Sequence, residues 1–240
     1  MGPGVPVPTC PGWTASDLVW HLTDVQMFWG SVVENELTDP DVAEAMKTER
    51  PEDYGDLLAM FGQQSDRLSA ALAERADDVA VWTWSDDETV GFVRRRQAHE
   101  ALIHRVGAES AAGVSPGPID AMLAADGVDE VLRVFAGGVP DWAAFEPEGV
   151  EMRLRATDVD RTWGAAFGQM QGTSPNTGKT YDIPALTVGV DAVNPITVVS
   201  GTAADLDLWL WGRGPLEALG LEGSDSIARR LRELMVEATQ

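Results

Sequence analysis

The sequence contains one cysteine and no long hydrophobic run, and each absence excludes a class of protein. The single cysteine, Cys10, excludes a disulfide within the chain. No apolar stretch approaches the roughly 18 residues that a transmembrane helix requires. Residues 1–8 are rich in proline and glycine and lack the basic start and apolar core of a signal peptide. We therefore expect a cytoplasmic protein.

Basic residues are also scarce. Lysine and arginine together number 17 against 39 acidic residues, so the formal net charge is −22, and only Lys47 and Lys179 are lysines. Phosphate backbones and anionic lipid surfaces repel such an acidic chain. We therefore expect no nucleic acid and no membrane among its main partners. The length of 240 residues suffices for one large domain or two modest ones, and the hydrophobic content of 44% can supply their cores.

Histidine occurs at three positions, and the placement of two of them predicts a metal site. The segment 92–105 has no glycine or proline and favours a helix, so Glu100 and His104 share one face, about 6 Å apart along the axis. His21 lies in a second predicted helix, 17–34. Two imidazoles and one carboxylate can bind a borderline metal ion and leave one position open, which is the form of a catalytic zinc site.

Each of these residues also has a simpler interpretation. A glutamate and a histidine at this spacing often form only a surface pair. His21 follows the apolar stripe of its helix and could be a hydrogen-bonded core residue. His99 points away from Glu100, so we interpret it as a packed or supporting histidine rather than a ligand. We expect the arginines at 94–96 mostly on a solvated or interdomain face, although Arg96 shares the helix arc of Glu100.

Hydrophobic periodicity divides the chain into a helical part and a mixed part. Apolar residues recur at helical spacing before Gly137, whereas later segments alternate as strands do. We therefore predict an α+β protein with a helical domain at 1–138 and an α+β domain at 139–240. Residues 168–184 are rich in glycine, serine, proline, asparagine and threonine and are expected to form a flexible loop. The predicted helices are 17–34, 55–76, 92–112, one or two within 119–136, 203–211 and 224–238, and the predicted strands are 150–156, 161–167, 185–190 and 196–200.

Several stretches resemble the mycothiol-dependent maleylpyruvate isomerase family. They are Pro8-Thr-Cys-Pro-Gly-Trp-Thr14, Asp17-Leu-Val-Trp-His-Leu22, the segment 91–105 and the segment 200–213. The resemblance covers nearly the whole chain. It implies a DinB-like helical bundle followed by a small α/β domain similar to sterol-carrier proteins. It also implies zinc or another divalent metal, with His21, Glu100 and His104 as the ligands.

The resemblance further implies chemistry that uses mycothiol, a small thiol of actinobacteria, as cosubstrate. The thiolate would add to the cis double bond of maleylpyruvate or a related unsaturated acid, and elimination after rotation would leave the trans isomer. Arg213 matches a position associated with substrate handling, although the helix dipole alone also favours a cation there. Cys10 is expected to be a buried structural thiol. The alternatives are transfer of mycothiol onto an electrophile, and a non-catalytic module that binds a metal or an apolar ligand.

The sequence departs from the family pattern at its start. Relatives carry one more helix before the Pro8–Thr14 motif, whereas residues 1–8 hold too much proline and glycine for a helix. We therefore expect a bundle that lacks its first helix and exposes an apolar groove between Leu18–Trp29 and Leu57–Leu72. Either the natural chain begins upstream of Met1, or another chain, as in a homodimer, covers this groove.

Overall fold

The computed structural model describes residues 2–238, and the chain divides into two compact units, Met1–Gly117 and Pro118–Gln240. The first unit is helical and the second joins helices to a sheet, so the predicted α+β architecture is confirmed. The division lies earlier than the break expected between residues 138 and 139. The helix Ala121–Glu130 packs against the helix Ala203–Leu210, and these contacts place it in the second unit.

Three long helices form the first unit. α1 (Ala15–Glu34) packs against α3 (Tyr54–Glu74) and α4 (Val90–Ala111), and the short α2 (Pro40–Ala45) lies against α1. Their positions confirm the three long helices predicted from apolar spacing, with small shifts at the ends. None of the helices that the structure describes is both long and apolar enough to cross a membrane. The buried core of this unit includes Trp29, Val32, Val33, Leu68, Ala71, Val81, Val90 and Val93.

A folded loop precedes α1 and fixes where that helix begins. The hydroxyl of Thr14 accepts a hydrogen bond from the backbone N–H of Asp17 at 3.3 Å, and the Asp17 carboxylate accepts one from the Thr14 backbone N–H at 2.9 Å. This capping box satisfies donors that the helix itself leaves unsatisfied. The backbone N–H of Val7 donates to the Trp13 carbonyl at 2.9 Å, so the loop turns back on itself. Gly12, at φ +85°, permits this turn.

The second unit combines a five-stranded sheet with α-helices. The strands are β1 (Ala143–Ala156), β2 (Thr162–Thr173), β3 (Thr180–Val188), β4 (Thr197–Gly201) and β5 (Gly220–Gly223). The described α-helices are α5 (Ala121–Glu130), which continues as a π-helical turn to Ala136, α6 (Ala203–Leu210) and α7 (Asp225–Ala238). The strand order is β3-β2-β1-β4-β5, with β1 and β4 parallel and the other neighbours antiparallel.

The core of the second unit lies where helices cover the sheet. α6 packs against β1 and β4, and α7 packs against β4. Large apolar side chains from both layers are excluded from water there, and their burial stabilises the unit. These side chains include Met152, Leu154, Phe167, Leu186, Leu206, Leu210 and Leu231.

The flexible loop expected at 168–184 is mostly strand, so that prediction was wrong. β2 and β3 pair antiparallel up to the partners Thr173 and Thr180, and only residues 174–179 connect them. Pro184 lies within β3, which is possible because β3 is an edge strand and one of its sides needs no donor. The predicted hairpin of the first two strands is confirmed.

The capping box of α1 yields a prediction about stability. Thr14→Ala should lower the free energy of unfolding by about 1 kcal/mol, because the hydroxyl that caps α1 is lost. Thr14→Ser keeps a hydroxyl and should retain most of that stability. Urea titration followed by circular dichroism measures both variants, and equal losses in the two would contradict the capping role.

The same variants should differ in their response to acid. Hydrogen bonds from Thr14, side chain and then backbone, and from Arg50 lower the pKa of Asp17 to about 2. Because this lies below the unfolded value of about 3.9, the contribution to stability is complete above that value and is lost as the pH falls through about 2. Thr14→Ala should therefore weaken the dependence of stability on pH in this range.

Candidate metal centre

The three residues predicted as metal ligands lie together in the first unit. α1 supplies His21, and α4 supplies Glu100 and His104 from successive turns. His21 Nε2 lies 2.8 Å from Glu100 Oε1, and His104 Nε2 lies 3.1 Å from the same oxygen. One potential ligand atom from each residue lies within 4.8 Å of the others. Two helices far apart in the sequence therefore converge on one cluster of donors.

These donors fit a divalent cation of borderline softness. Two imidazole nitrogens and one carboxylate oxygen form the ligand set of several catalytic zinc sites, which keep a fourth position open. Tetrahedral zinc ligands lie about 3.3–3.5 Å apart when the bonds are about 2.0–2.2 Å. The observed cluster therefore needs only small side-chain shifts to enclose an ion. His99 is 1% exposed and lies outside this group, as expected for a packed histidine.

The surroundings of Glu100 favour its ionised form, although its side chain is only 16% exposed. Burial raises the pKa of this carboxyl, but hydrogen bonds from His104 and His21 oppose that effect, as does the positive charge of Arg96. Together these partners hold the pKa of Glu100 well below its usual range. A carboxylate that can bind a cation is therefore present at neutral pH.

Arg96 belongs to the cluster, although its position in the sequence suggested a solvated face. The expectation of a mostly solvated or interdomain face for residues 94–96 does not hold for Arg96, which is 5% exposed and whose Nη2 donates to Glu100 Oε2 at 2.6 Å. Arg94 is partly exposed and donates to the carbonyls of Leu72 and Arg75 at the end of α3. The helix arc that Arg96 shares with Glu100, noted from the sequence, agrees with this contact.

An aromatic ring borders both imidazoles. The Trp13 ring centroid lies 4.9 Å from that of His21, and 6.2 Å from that of His104 with the two planes within 4° of parallel. The folded loop before α1 holds Trp13 in this place. The same loop lies close to α4, since a Cβ added at Gly107 would be only 3.2 Å from the hydroxyl of Thr9. No role was predicted for Trp13, although it directly follows the Pro-Thr-Cys-Pro-Gly turn.

A cavity of about 270 Å³ opens beside Glu100 between α1, α3 and α4. Apolar side chains such as Leu22, Leu68 and Leu72 form part of its wall, together with Gln26. The imidazole rings of His21 and His104 are not part of its lining. The cavity therefore shares Glu100 with the donor cluster but does not include its two histidines.

Arg213 lies just beyond the C-terminal end of α6, in the second unit. Its Nη1 donates to the carbonyl of Trp211. A cation at the C-terminal end of a helix is favoured by the helix dipole, and this was the simpler interpretation of Arg213 from the sequence. Burial, followed by the charge of Arg213, lowers the pKa of Arg232, so the two guanidinium groups are neighbours. Gly212 makes room for them, since a Cβ at this residue would collide with the Arg232 guanidinium. Two guanidinium groups therefore lie together near this end of α6.

Family models match both units of the chain. The model of the mycothiol maleylpyruvate isomerase (MDMPI) N-terminal domain matches residues 2–109, and the model of the MDMPI C-terminal domain matches residues 122–228. No curated protein and no solved structure matches the chain significantly. The two matched ranges follow one another in the order that the sequence motifs predicted, and they include the three donors and Arg213. The chain belongs to the mycothiol maleylpyruvate isomerase family.

Proposed function

We propose that this protein is a mycothiol-dependent enzyme that isomerises maleylpyruvate, or a related cis-unsaturated acid, at a zinc site formed by His21, Glu100 and His104. The convergence of these three donors, within the range that matches the family's N-terminal domain, is the observation that carries the proposal. Membership of the family supports mycothiol as the cosubstrate, and the sequence supports a cytoplasmic location.

The residues of the cluster are suited to hold a cation and leave it reactive. A divalent cation bound there would stabilise a thiolate near neutral pH and so supply a nucleophile. Glu100 contributes the negative charge that favours cation binding. His21 and His104 both present Nε2 towards Glu100 Oε1, and a neutral imidazole can bind a metal ion through this nitrogen. The Trp13 ring beside both imidazoles limits the access of water on one side.

The proposed isomerisation needs neither an oxidant nor a net proton transfer. The electron pair of the thiolate forms a C–S bond to one alkene carbon, and the π pair moves into the conjugated carbonyl as an enolate. The former double bond is now single and rotates. Return of the enolate pair re-forms the double bond in the trans geometry and expels the thiolate. If the enolate instead took up the proton that the thiol had lost, the thiol would stay on the electrophile, and this addition would be the alternative S-transferase activity.

The proposed substrate carries two carboxylates, which a chain of net charge −22 repels. Arginine can reverse this field locally, because its paired N–H donors match a carboxylate. Arg213 is our candidate for this role. The neighbouring Arg232 supports it, since a carboxylate bound near Arg213 would relieve the repulsion between the two guanidinium groups.

The metal assignment predicts different outcomes for two histidines on the same helix. Protein purified without an affinity tag should contain one divalent ion per chain, and His104→Ala should lose most of it because a ligand is removed. His99→Ala should keep the metal, since His99 is not a ligand. Elemental analysis by plasma mass spectrometry measures the content, and equal metal in the two variants would refute the assignment.

The thiol requirement can be tested with the single cysteine. Isomerisation of maleylpyruvate should depend on added mycothiol or a model thiol, and Cys10→Ser should retain that thiol-dependent rate. Full activity in thiol-free buffer that disappears in Cys10→Ser would show that the protein supplies its own nucleophile. A stable adduct with a model electrophile, without isomerisation, would favour the transferase alternative, and no turnover with either substrate would favour the binding module.

Replacement of Arg213 should weaken handling of the anionic substrate. Arg213→Met should lower kcat/KM about 10- to 100-fold, as expected from a charge-assisted hydrogen bond worth about 1.5–3 kcal/mol, while the metal content stays unchanged. Arg229→Met removes an exposed arginine of the same unit that pairs with Asp225 at 3.5 Å, and it should have little effect. Equal kinetics in the two variants would leave Arg213 with its helix-end role alone.

A further inference from the structure

Arg96 is buried on α4 beside the proposed ligands. Its side chain is 6% exposed and that of Glu100 is 16% exposed. An exposed pair at this helical spacing contributes only a few tenths of a kcal/mol. A buried guanidinium, in contrast, needs well-placed acceptors to offset the loss of its hydration. The Nη2 to Oε2 distance of 2.6 Å is slightly shorter than the roughly 2.7–2.9 Å typical of charge-assisted hydrogen bonds from a guanidinium to a carboxylate.

The two oxygens of Glu100 have different neighbours. Oε1 lies 2.8 Å from His21 Nε2 and 3.1 Å from His104 Nε2, so it faces the point where the ligand nitrogens converge. Oε2 faces Arg96. The guanidinium is planar and permanently charged, and it therefore fixes the orientation of the carboxylate plane more firmly than a lysine would. A cation enclosed by this cluster would meet one oxygen of Glu100 rather than two.

We propose that Arg96 is a positioning residue that restricts Glu100 to one-oxygen ligation and thereby sets the preference of the site for small four-coordinate cations over oxygen-seeking ones. This inference rests on the metal site of the proposed function. Zinc and cobalt accept four ligands with nitrogen donors, whereas manganese favours more oxygen ligands and a higher coordination number. Without Arg96, the second oxygen of Glu100 becomes available as an additional ligand.

The chain offers a matched control on the same helix. Arg105 and Glu109 form another arginine–glutamate pair at the same spacing, but Arg105 is 43% exposed and the two groups are 3.9 Å apart. Arg96→Met removes the guanidinium with a side chain of similar length, and Arg96→Lys keeps the charge but not the planar fork. Arg105→Met makes the same chemical change away from Glu100.

The test loads each variant with Co²⁺, records its visible spectrum, and measures Zn²⁺ and Mn²⁺ affinities by competition with a chromophoric chelator. Arg96→Met should weaken the intense bands of four-coordinate cobalt, lose about 10- to 100-fold in zinc affinity, and raise the manganese-to-zinc affinity ratio. Arg96→Lys should lie between this variant and the wild type. Arg105→Met should match the wild type.

The outcomes separate this inference from the proposed function. A wild-type spectrum and affinity ratio in Arg96→Met would overturn the role of Arg96 and leave the metal site intact. A wild-type chain that binds neither cobalt nor zinc would overturn both. Circular dichroism checks that each variant is folded; if Arg96→Met is not, Arg96→Lys decides, and an unchanged cobalt spectrum in that variant overturns the inference.

Discussion

The carboxylate of Glu100, with three basic neighbours, connects helices α1 and α4 at the candidate metal site. Glu100 contacts His21 from α1 and both Arg96 and His104 from its own helix, α4. Because an uncompensated buried charge is costly, these contacts link the ionisation of Glu100 to the packing of α1 against α4. Apolar burial brings the helices together, and the charge of Glu100 restricts which of their residues can meet.

The faces of these helices are fixed by caps near their first turns. Thr14 begins α1 shortly before His21, and the hydroxyl of Thr89 accepts a hydrogen bond from the backbone N–H of Phe92 at 3.2 Å at the start of α4. From each fixed start, the helical repeat determines the direction in which later side chains point. The loop that ends at Thr14 also holds Trp13, so one local structure both starts the helix and forms a wall of the site.

Local signals explain why the three long helices could be predicted, since their caps and apolar spacing lie within each segment. The β2–β3 pairing could not be predicted, because composition at 168–184 favours a loop and the ladder bonds that override it come from another strand. The same limit applies at the site. Spacing joins Glu100 to His104, but the meeting with His21 and the burial of Arg96 depend on how α1 packs against α4.

The charges around Glu100 also bear on the chemistry that a bound cation could perform. The carboxylate contributes one negative charge, Arg96 contributes one positive charge, and ligating imidazoles are neutral, so the cluster is neutral in sum. Four cysteine thiolates would more than cancel the charge of a zinc ion, as in closed structural sites. A divalent cation in this cluster would retain its double charge, and that charge lowers the pKa of a thiol beside it. It would also attract an anionic substrate, which the net charge of −22 otherwise repels.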